Sequence, residues 1–498
     1  MEQRAPLSQI TKTPHIEKLN TVSSPAEKKY QSRNKNPAHL IKSFLDCFDR
    51  IDLGTEIKSK FIKLSGETEA KLRFWDEKLR KSIKQLEGTN EDIVDVVIGF
   101  DFGTSSAKII VRLPYEGEGG VAFAFPVPKE FRADNHPHCW KTLLYIDEEK
   151  NQLSLSPSED SKIFSNFKAA AMQENPSKII FRSGNTQLIA ESMCYVYFGL
   201  LLRIVKGWLV SEIFPSLGID INERSIQWEL NLGLPAAKRD NKKIGKRFEV
   251  IAKNAWFLSE TPEPIIVDSL NSLLHQRNEG TNVTISVRPE VVAQTVGIME
   301  TTLPEFGLYG LADIGASTID ICTFNYGQKD DYDNYSLFFA KVGLFGVSAL
   351  NWIDIIKHKL NVVFTEDDLK IAVKDCLDET LQTTKNRRAP NAKEWSSQLT
   401  IFLCGGGRES IPHRSALQEY IEIMNNHRGG KYRFEETMMP ERLEHESTGS
   451  NYHRLSVAWG LSIPSLDFAN YKEPGDIDDI ESRKIRDYGD RYIGNEQV

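Results

Sequence analysis

Val96–Val111 reads VVIGFDFGTSSAKIIV: an apolar run, one carboxylate at Asp101, a turn of glycine and hydroxyl residues, then a second apolar run. Asp, Gly and Ser are ordinary turn residues, so a hairpin closed by an Asp side chain accounts for this stretch taken alone. The outline returns as GLYGLADIGASTIDICTF, Gly307–Phe324, with Asp313 in the place of Asp101. In each copy a strand ends in Asp-x-Gly, small and hydroxyl residues make the turn, and a β-rich strand follows. Two such hairpins predict two related halves facing one another.

A glycine turn bares backbone N–H groups, and Thr104, Ser105, Ser317 and Thr318 add hydroxyls, a combination suited to phosphate oxygens. A carboxylate at the strand end cannot help an anion directly, but it can hold Mg²⁺ through water. Opposed hairpins would then grip the two ends of a triphosphate, with Asp101 and Asp313 on the metal and the turns at Gly103 and at Gly315 and Ala316 on the phosphates. Asp320 lies deeper, where it braces the second loop or orients water. A third segment, QLTIFLCGGGRESIPHRSALQEYI (398–421), predicts a strand, three glycines and a helix starting near Ile411 or Pro412. Gly405, Gly406 and Gly407 would let a flat base approach, Arg408 could stack on it, and Glu409 could accept from a sugar hydroxyl. Alone, the glycines fit a tight strand-to-helix turn equally well; after two phosphate hairpins they gain weight.

The rest of the chain sets bounds. Its 498 residues are 40% apolar and 27% charged with net charge −8, which supplies no basic field for nucleic acid or an anionic membrane. Cys47, Cys139, Cys194, Cys322, Cys376 and Cys404 form no CxxC pair, as expected of reduced thiols in the cytoplasm. His136, His138 and Cys139 lie close together but lack a second ligand group at zinc spacing. The N-terminus carries no apolar core of a secretory signal, and MCYVYFGLLLRIV (193–205) is too short for a bilayer and predicts a buried helix.

Residues 1–35 have the composition of a flexible arm. Over 36–92, Leu40, Phe44 and Phe48, then Leu72, Trp75 and Leu79, recur at helical spacing; this extension, ending near Gly88, either packs on its own domain or docks a protein partner. From Ile93 to Phe468 strands alternate with helices in an α/β pattern, with 278–282, 327–335 and 425–451 reading as loops or insertions. The charged tail, 469–498, is expected on the surface or loose.

The ordered trio GFDFGTSSAK (99–108), LADIGASTIDI (311–321) and IFLCGGGRES (401–410) resembles the phosphate-1, phosphate-2 and adenosine motifs of the actin-like ATPase superfamily, which includes actins, sugar kinases and heat shock protein 70 (DnaK) chaperones. Residues 228–255 look like the strand, Val-Pro-Ala turn and helix of DnaK-type proteins, and 341–356, with Gly346, like their glycine-rich loop. Residues 284–297 and 454–464 look like their two connecting helices. The nearest pattern is the divergent branch, whose adenosine loop reads GG..ES and which carries a Phe-x-x-Phe-Lys element similar to Phe164–Lys168.

Over residues 93–468 the resemblance implies an actin-like ATPase fold: two lobes (93–300 with 452–468, and 301–451), each with a ribonuclease-H-like mixed sheet and flanking helices, around a cleft for ATP or ADP with Mg²⁺. It implies catalytic roles for Asp101, Asp313 and Glu290, the two aspartates being metal-organising. Nucleotide contacts would come from Gly103, Thr104, Ser105, Lys108, Gly315, Ala316, Ser317, Thr318, Asp320, Gly346, Gly405, Gly406, Gly407, Arg408 and Glu409.

Two departures stand out. Arg288 precedes Pro289 where the chaperones carry an acid that orients water, and Glu290 is the nearest acid. Their catalytic lysine should fall near Pro157–Asp160, where there is none, leaving Lys108 and Lys168 for phosphate contact. The charged residues after 468 predict no peptide-holding sandwich. The expected function is a slow Mg²⁺-dependent ATPase acting as a chaperone-like switch on a protein partner, through the N-terminal extension or a lobe surface. The alternatives are an actin- or ParM-like filament protein, a sugar-type kinase and a pseudo-ATPase scaffold.

Overall fold

The computed structural model describes residues 63–480, apart from 87, 89, 159–160, 174–178, 184–185, 236–241, 276–282, 303, 317, 330–331, 344, 348–364, 428–430 and 445–448. Strand β1 (Ile93–Phe102) is buried almost throughout, with no in–out alternation, the signature of a strand covered on both faces. It pairs antiparallel with β2 (Ser106–Leu113), which pairs antiparallel with β3 (Val121–Ala124). On its other side lie β4 (Ser225–Leu234) and β5 (Val283–Pro289), both parallel. The spatial order is β5-β4-β1-β2-β3.

A second sheet repeats this plan. β6 (Gly307–Ile314) pairs antiparallel with β7 (Ile319–Lys329), and β7 with β8 (Tyr332–Gly343). β9 (Leu399–Cys404) and β10 (Tyr432–Glu436) follow in parallel, giving the order β10-β9-β6-β7-β8. The register repeats too: Asp101 lies opposite Lys108, and Asp313 opposite Asp320. The protein is therefore α/β, with two mixed sheets of the same strand order and directions. A small antiparallel sheet also forms from Leu144–Asp147, Gln152–Ser154, Ser161–Phe164 and Ile265–Ile266.

The helices that matter below are α1 (Gly66–Leu86), α2 (Phe167–Ala171), α3 (Ala190–Trp208), α4 (Lys242–Glu260), α5 (Glu290–Thr302), α6 (Glu366–Thr383), α7 (Ile411–His427) and α8 (Ser456–Leu461). α3 is apolar nearly all round because α1, α4 and the first sheet enclose it. The run Ala190–Ser216 is long and apolar enough to cross a membrane, yet most of it is buried inside the protein.

α1 places Trp75 and Leu79 in the same core, and the Trp75 indole donates to Glu212 Oε1 at 2.7 Å. Burying a side chain such as Leu79 contributes about 2 kcal/mol. The stripe over 66–86 thus packs on its own domain. Leu40, Phe44, Phe48 and the 1–35 arm lie outside the described residues, as does 278–282.

α5 packs on the second sheet through Val292, Val296 and Met299, while α8 packs on the first through Ala458 and Trp459. The two helices cross where a side chain at Gly460 would run into the Ala293 carbonyl. Arg112 of β2 ties the crossing together, forking to Glu300 at 3.0 and 3.2 Å, donating to Ser462 Oγ and lying 4.1 Å over the Trp459 ring.

Two loop expectations are corrected. Residues 327–335 mostly continue the β7–β8 hairpin, because ladder pairing outweighs their polar composition. Residues 425–451 include the end of α7, strand β10 and Leu443–Glu444, which pairs with β3. In the tail, Asn470–Lys472 adds a parallel strand to β8, and Asp479 reaches Arg388 at 3.1 Å; 481–498 lie outside the described residues.

Candidate functional site

The first hairpin turn is closed by the Gly103 N–H on the Ser106 carbonyl at 3.1 Å. Thr142, at the end of a neighbouring strand, pins it: its N–H donates to Ser105 O at 3.0 Å and its hydroxyl to Gly103 O at 2.8 Å. Thr104 is left half-buried and Ser105 exposed. Asp101 is buried and meets Lys108 Nζ across the strands at 2.8 Å. Burial works against the Lys108 ammonium, but the Asp101 charge and hydrogen bond outweigh it and hold its pKa above the ordinary lysine value.

The second hairpin closes in the same way, Gly315 N–H to Thr318 O at 2.8 Å. The Gly346 loop packs on it, with Val347 N–H donating to Gly315 O at 3.1 Å. Here the cross-strand pair is Asp313 with Asp320, two acids where the first hairpin has an acid and a base. Burial pushes Asp313 up to about 7, with the Asp101 and Glu290 charges adding and Lys108 and the Gln294 amide easing it. Burial likewise pushes Asp320 up to about 8, reinforced by Glu290 and Asp313 and eased by the Thr318 hydroxyl and Lys168. Ser317 lies outside the described residues; Ala316 and Thr318 are half-buried.

Glu290 opens α5, its Cγ packed over Gly233 of β4, where a side chain would sit at 2.9 Å. Lys168 of α2 meets Glu290 Oε1 at 3.1 Å and is almost wholly enclosed. Burial raises the Glu290 pKa, Lys168 opposes the rise and Asp101 adds to it. The expected lysine near 157–160 is absent, and Lys168 brings an ammonium to the acids instead; Asp160 itself lies outside the described residues. Arg288 turns the other way, donating to Ile463 O at 3.0 Å, Ser465 Oγ at 2.7 Å and Glu229 Oε1 at 3.2 Å, and stacking over Phe468. These contacts tie its guanidinium to Glu229, Ile463, Ser465 and Phe468. Asp101, Glu290, Asp313 and Asp320, with Lys108 and Lys168, thus form one charge cluster between the two sheets.

β9 leads into Gly405, whose φ of +80° and close approach to the Asp313 carboxylate exclude any side chain. A short turn, Gly406–Glu409, then enters α7. His413 fixes this entry: its Nδ1 meets Ser410 Oγ and its Nε2 meets Phe345 O, each at 2.8 Å, so the buried ring joins α7 to the Gly346 loop. A carbonyl can only accept, which places the proton on Nε2. Arg408 is drawn to Glu436 at 3.7 Å, and Glu409 lies 3.8 Å from His453 and 3.9 Å from Arg454.

Reading the sequence alone missed Thr142, Gln294, His413 and Arg454. Gln294 follows Glu290 by one helical turn and was open to that reasoning; Thr142 carries no local signal. Among the described residues no three His, Cys, Asp or Glu side chains are arranged to ligate a metal directly, and His138 Nδ1 meets the Phe125 carbonyl at 3.0 Å. No protein-family model and no curated protein matches the chain.

Proposed function

We propose that this chain binds ATP with Mg²⁺ between its two sheets in an actin-like ATPase fold, and that slow hydrolysis makes it a DnaK-like conformational switch for a protein partner. One observation carries the reading: two mixed sheets of the same strand order present, at the same register, the pairs Asp101–Lys108 and Asp313–Asp320 within one charge cluster. A sheet with three antiparallel strands followed by two parallel ones is the ribonuclease-H-like plan, and its duplication fits the actin-like architecture.

The residues fit the implied metal. Asp313 and Asp320 are driven up to about 7 and 8 by burial and by their acidic neighbours, a crowding that a divalent cation would relieve. Mg²⁺ keeps several waters, so it needs few protein carboxylates, and Asp101 and Asp313 suffice to hold it through them. When bound, the metal neutralises charge on the phosphates. Lys108 and Lys168 supply fixed ammoniums, the Gly103–Ser106 and Gly315–Thr318 turns face the anion, and Gly405–Gly407 admit the base. Glu290, held by Lys168, is the acid that orients the attacking water. Arg288, whose position had favoured a binding-only scaffold, is tied to Glu229 and Ser465 instead. Closure of the sheets on ligand would turn about the α5–α8 crossing.

Calorimetric titration with Mg·ATP tests the reading. Wild type should bind, Asp101→Asn and Asp313→Asn should lose most of the affinity, and single-turnover cleavage should fall in Glu290→Gln with binding kept. No binding by wild type refutes the proposal; binding without cleavage refutes its catalytic half.

A further inference from the structure

Arg454 ends the turn Gly449–Arg454, separated from α8 by one residue, and neither hairpin motif nor the glycine loop contains it. Its guanidinium lies flat on the glycine loop: a Cβ at Gly406 would sit 3.3 to 3.4 Å from its Cζ, Nε and Nη1. Nη1 meets Asp134 Oδ2 at 3.0 Å, in the segment between β3 and Trp140, and Nη2 lies 3.9 Å from Glu409 Oε2. It therefore bridges the turn Ala133–Asn135, between strands of the first sheet, and the loop that leaves the second.

Burial across these contacts is unequal. The Arg454 side chain is 15% exposed, whereas Asp134 is 75% and Glu409 58% exposed. An ion pair with so exposed a carboxylate is worth at most about 1 kcal/mol, so the acid returns to water easily. A guanidinium held in place by its packed stem makes stronger, forked bonds to phosphate. The Arg454 charge also acts on the same buried thiol as Lys108 of the cluster. Burial pushes the Cys139 thiol up to about 11, and Lys108, Arg454, Asp101 and Asp134 all act on it. Arg408, the expected base-stacking cation, instead faces Glu436.

We propose that Arg454 is a nucleotide-contacting residue that exchanges its Asp134 ion pair for the phosphate chain of a bound nucleoside triphosphate. The inference rests on the nucleotide reading of the charge cluster. It assigns Asp134 the opposite role, that of a competitor for the same guanidinium.

Full-length wild type, Arg454→Ala and Asp134→Asn are compared by calorimetric titration with Mg·ATP and with adenosine; asparagine tolerates the left-handed backbone (φ 51°) that Asp134 adopts. Arg454→Ala should bind Mg·ATP about 10- to 100-fold more weakly, as expected for a lost charge-assisted contact, with adenosine affinity unchanged. Asp134→Asn should bind Mg·ATP about 2- to 5-fold more tightly. Unchanged Mg·ATP affinity in both variants, an equal loss for adenosine in Arg454→Ala, or weaker Mg·ATP binding by Asp134→Asn overturns the inference while the nucleotide reading stands. Failure of wild type to bind Mg·ATP overturns both. If Arg454→Ala does not fold, the sign of the Asp134→Asn effect on its exposed side chain decides.

Discussion

Replacing Asp320 with asparagine should make the ligand-free protein more stable, even though it removes a candidate site residue. Asp320 faces Asp313 across the β6–β7 hairpin, and like charges directly opposite one another destabilise a sheet. Its carboxyl is pushed from the ordinary 3.8 up to about 8 by burial, then by Glu290 and Asp313. A raised carboxyl pKa means the folded chain holds a proton that the unfolded chain has released. The associated stability is fully present below pH 3.8 and is lost as pH rises through about 8.

From pH 5 to pH 8 that loss spans three pH units at about 1.4 kcal/mol each, roughly 4 kcal/mol before solvent screening of a half-buried group reduces it. Asparagine has no proton to lose. Thermal melts at pH 5 and pH 8, without nucleotide or divalent cation, should therefore show Asp320→Asn gaining over wild type far more at pH 8. Asp101→Asn provides the opposite sign, since it strips Lys108 of its partner. Equal gains at both pH values, or a less stable Asp320→Asn at pH 8, would refute the crowding argument.

Lys168→Met leaves Glu290 buried among acids without its cation, a loss of about 3–5 kcal/mol near pH 8. The raised Glu290 pKa means that lowering the pH lets the acid protonate and restores part of this, which melts at pH 5.5 and 8 would reveal. Gly405→Ala must adopt φ +80° against the Asp313 carboxylate, so a clear fall in melting temperature is expected, and an unchanged melt would show that the loop relaxes freely. Trp75→Ala removes a fully buried indole and its bond to Glu212; about 3–5 kcal/mol should be lost in denaturant titration if α1 belongs to the folded unit.

Asp101, Asp313 and the Gly405–Gly407 loop were legible because their signal is local: strand, turn and strand, or strand, turn and helix, within consecutive residues. The duplication was legible for the same reason, since the two hairpins share spacing as well as composition. Polar stretches misled where pairing, not propensity, decides. Residues 327–335 look like a loop and 470–472 like a surface or loose tail, yet each finds a strand partner whose backbone satisfies its own.

The sequence by itself determined the α/β class, the two acid-bearing hairpins and the third glycine loop. Only the tertiary structure decided which charged groups join them. Arg288 and Glu290 are two residues apart, but the passage from β5 into α5 sends one side chain to Glu229 and Phe468 and the other over Gly233 to Lys168. Thr142 and Arg454 come from segments distant in the chain with no pattern of their own to mark them, and Lys168, though marked by its Phe-x-x-Phe-Lys element, meets Glu290 only in the folded chain. Which charge faces a cleft is set by how strand ends and helix starts pack against one another, and that long-range information is carried by no short stretch of residues.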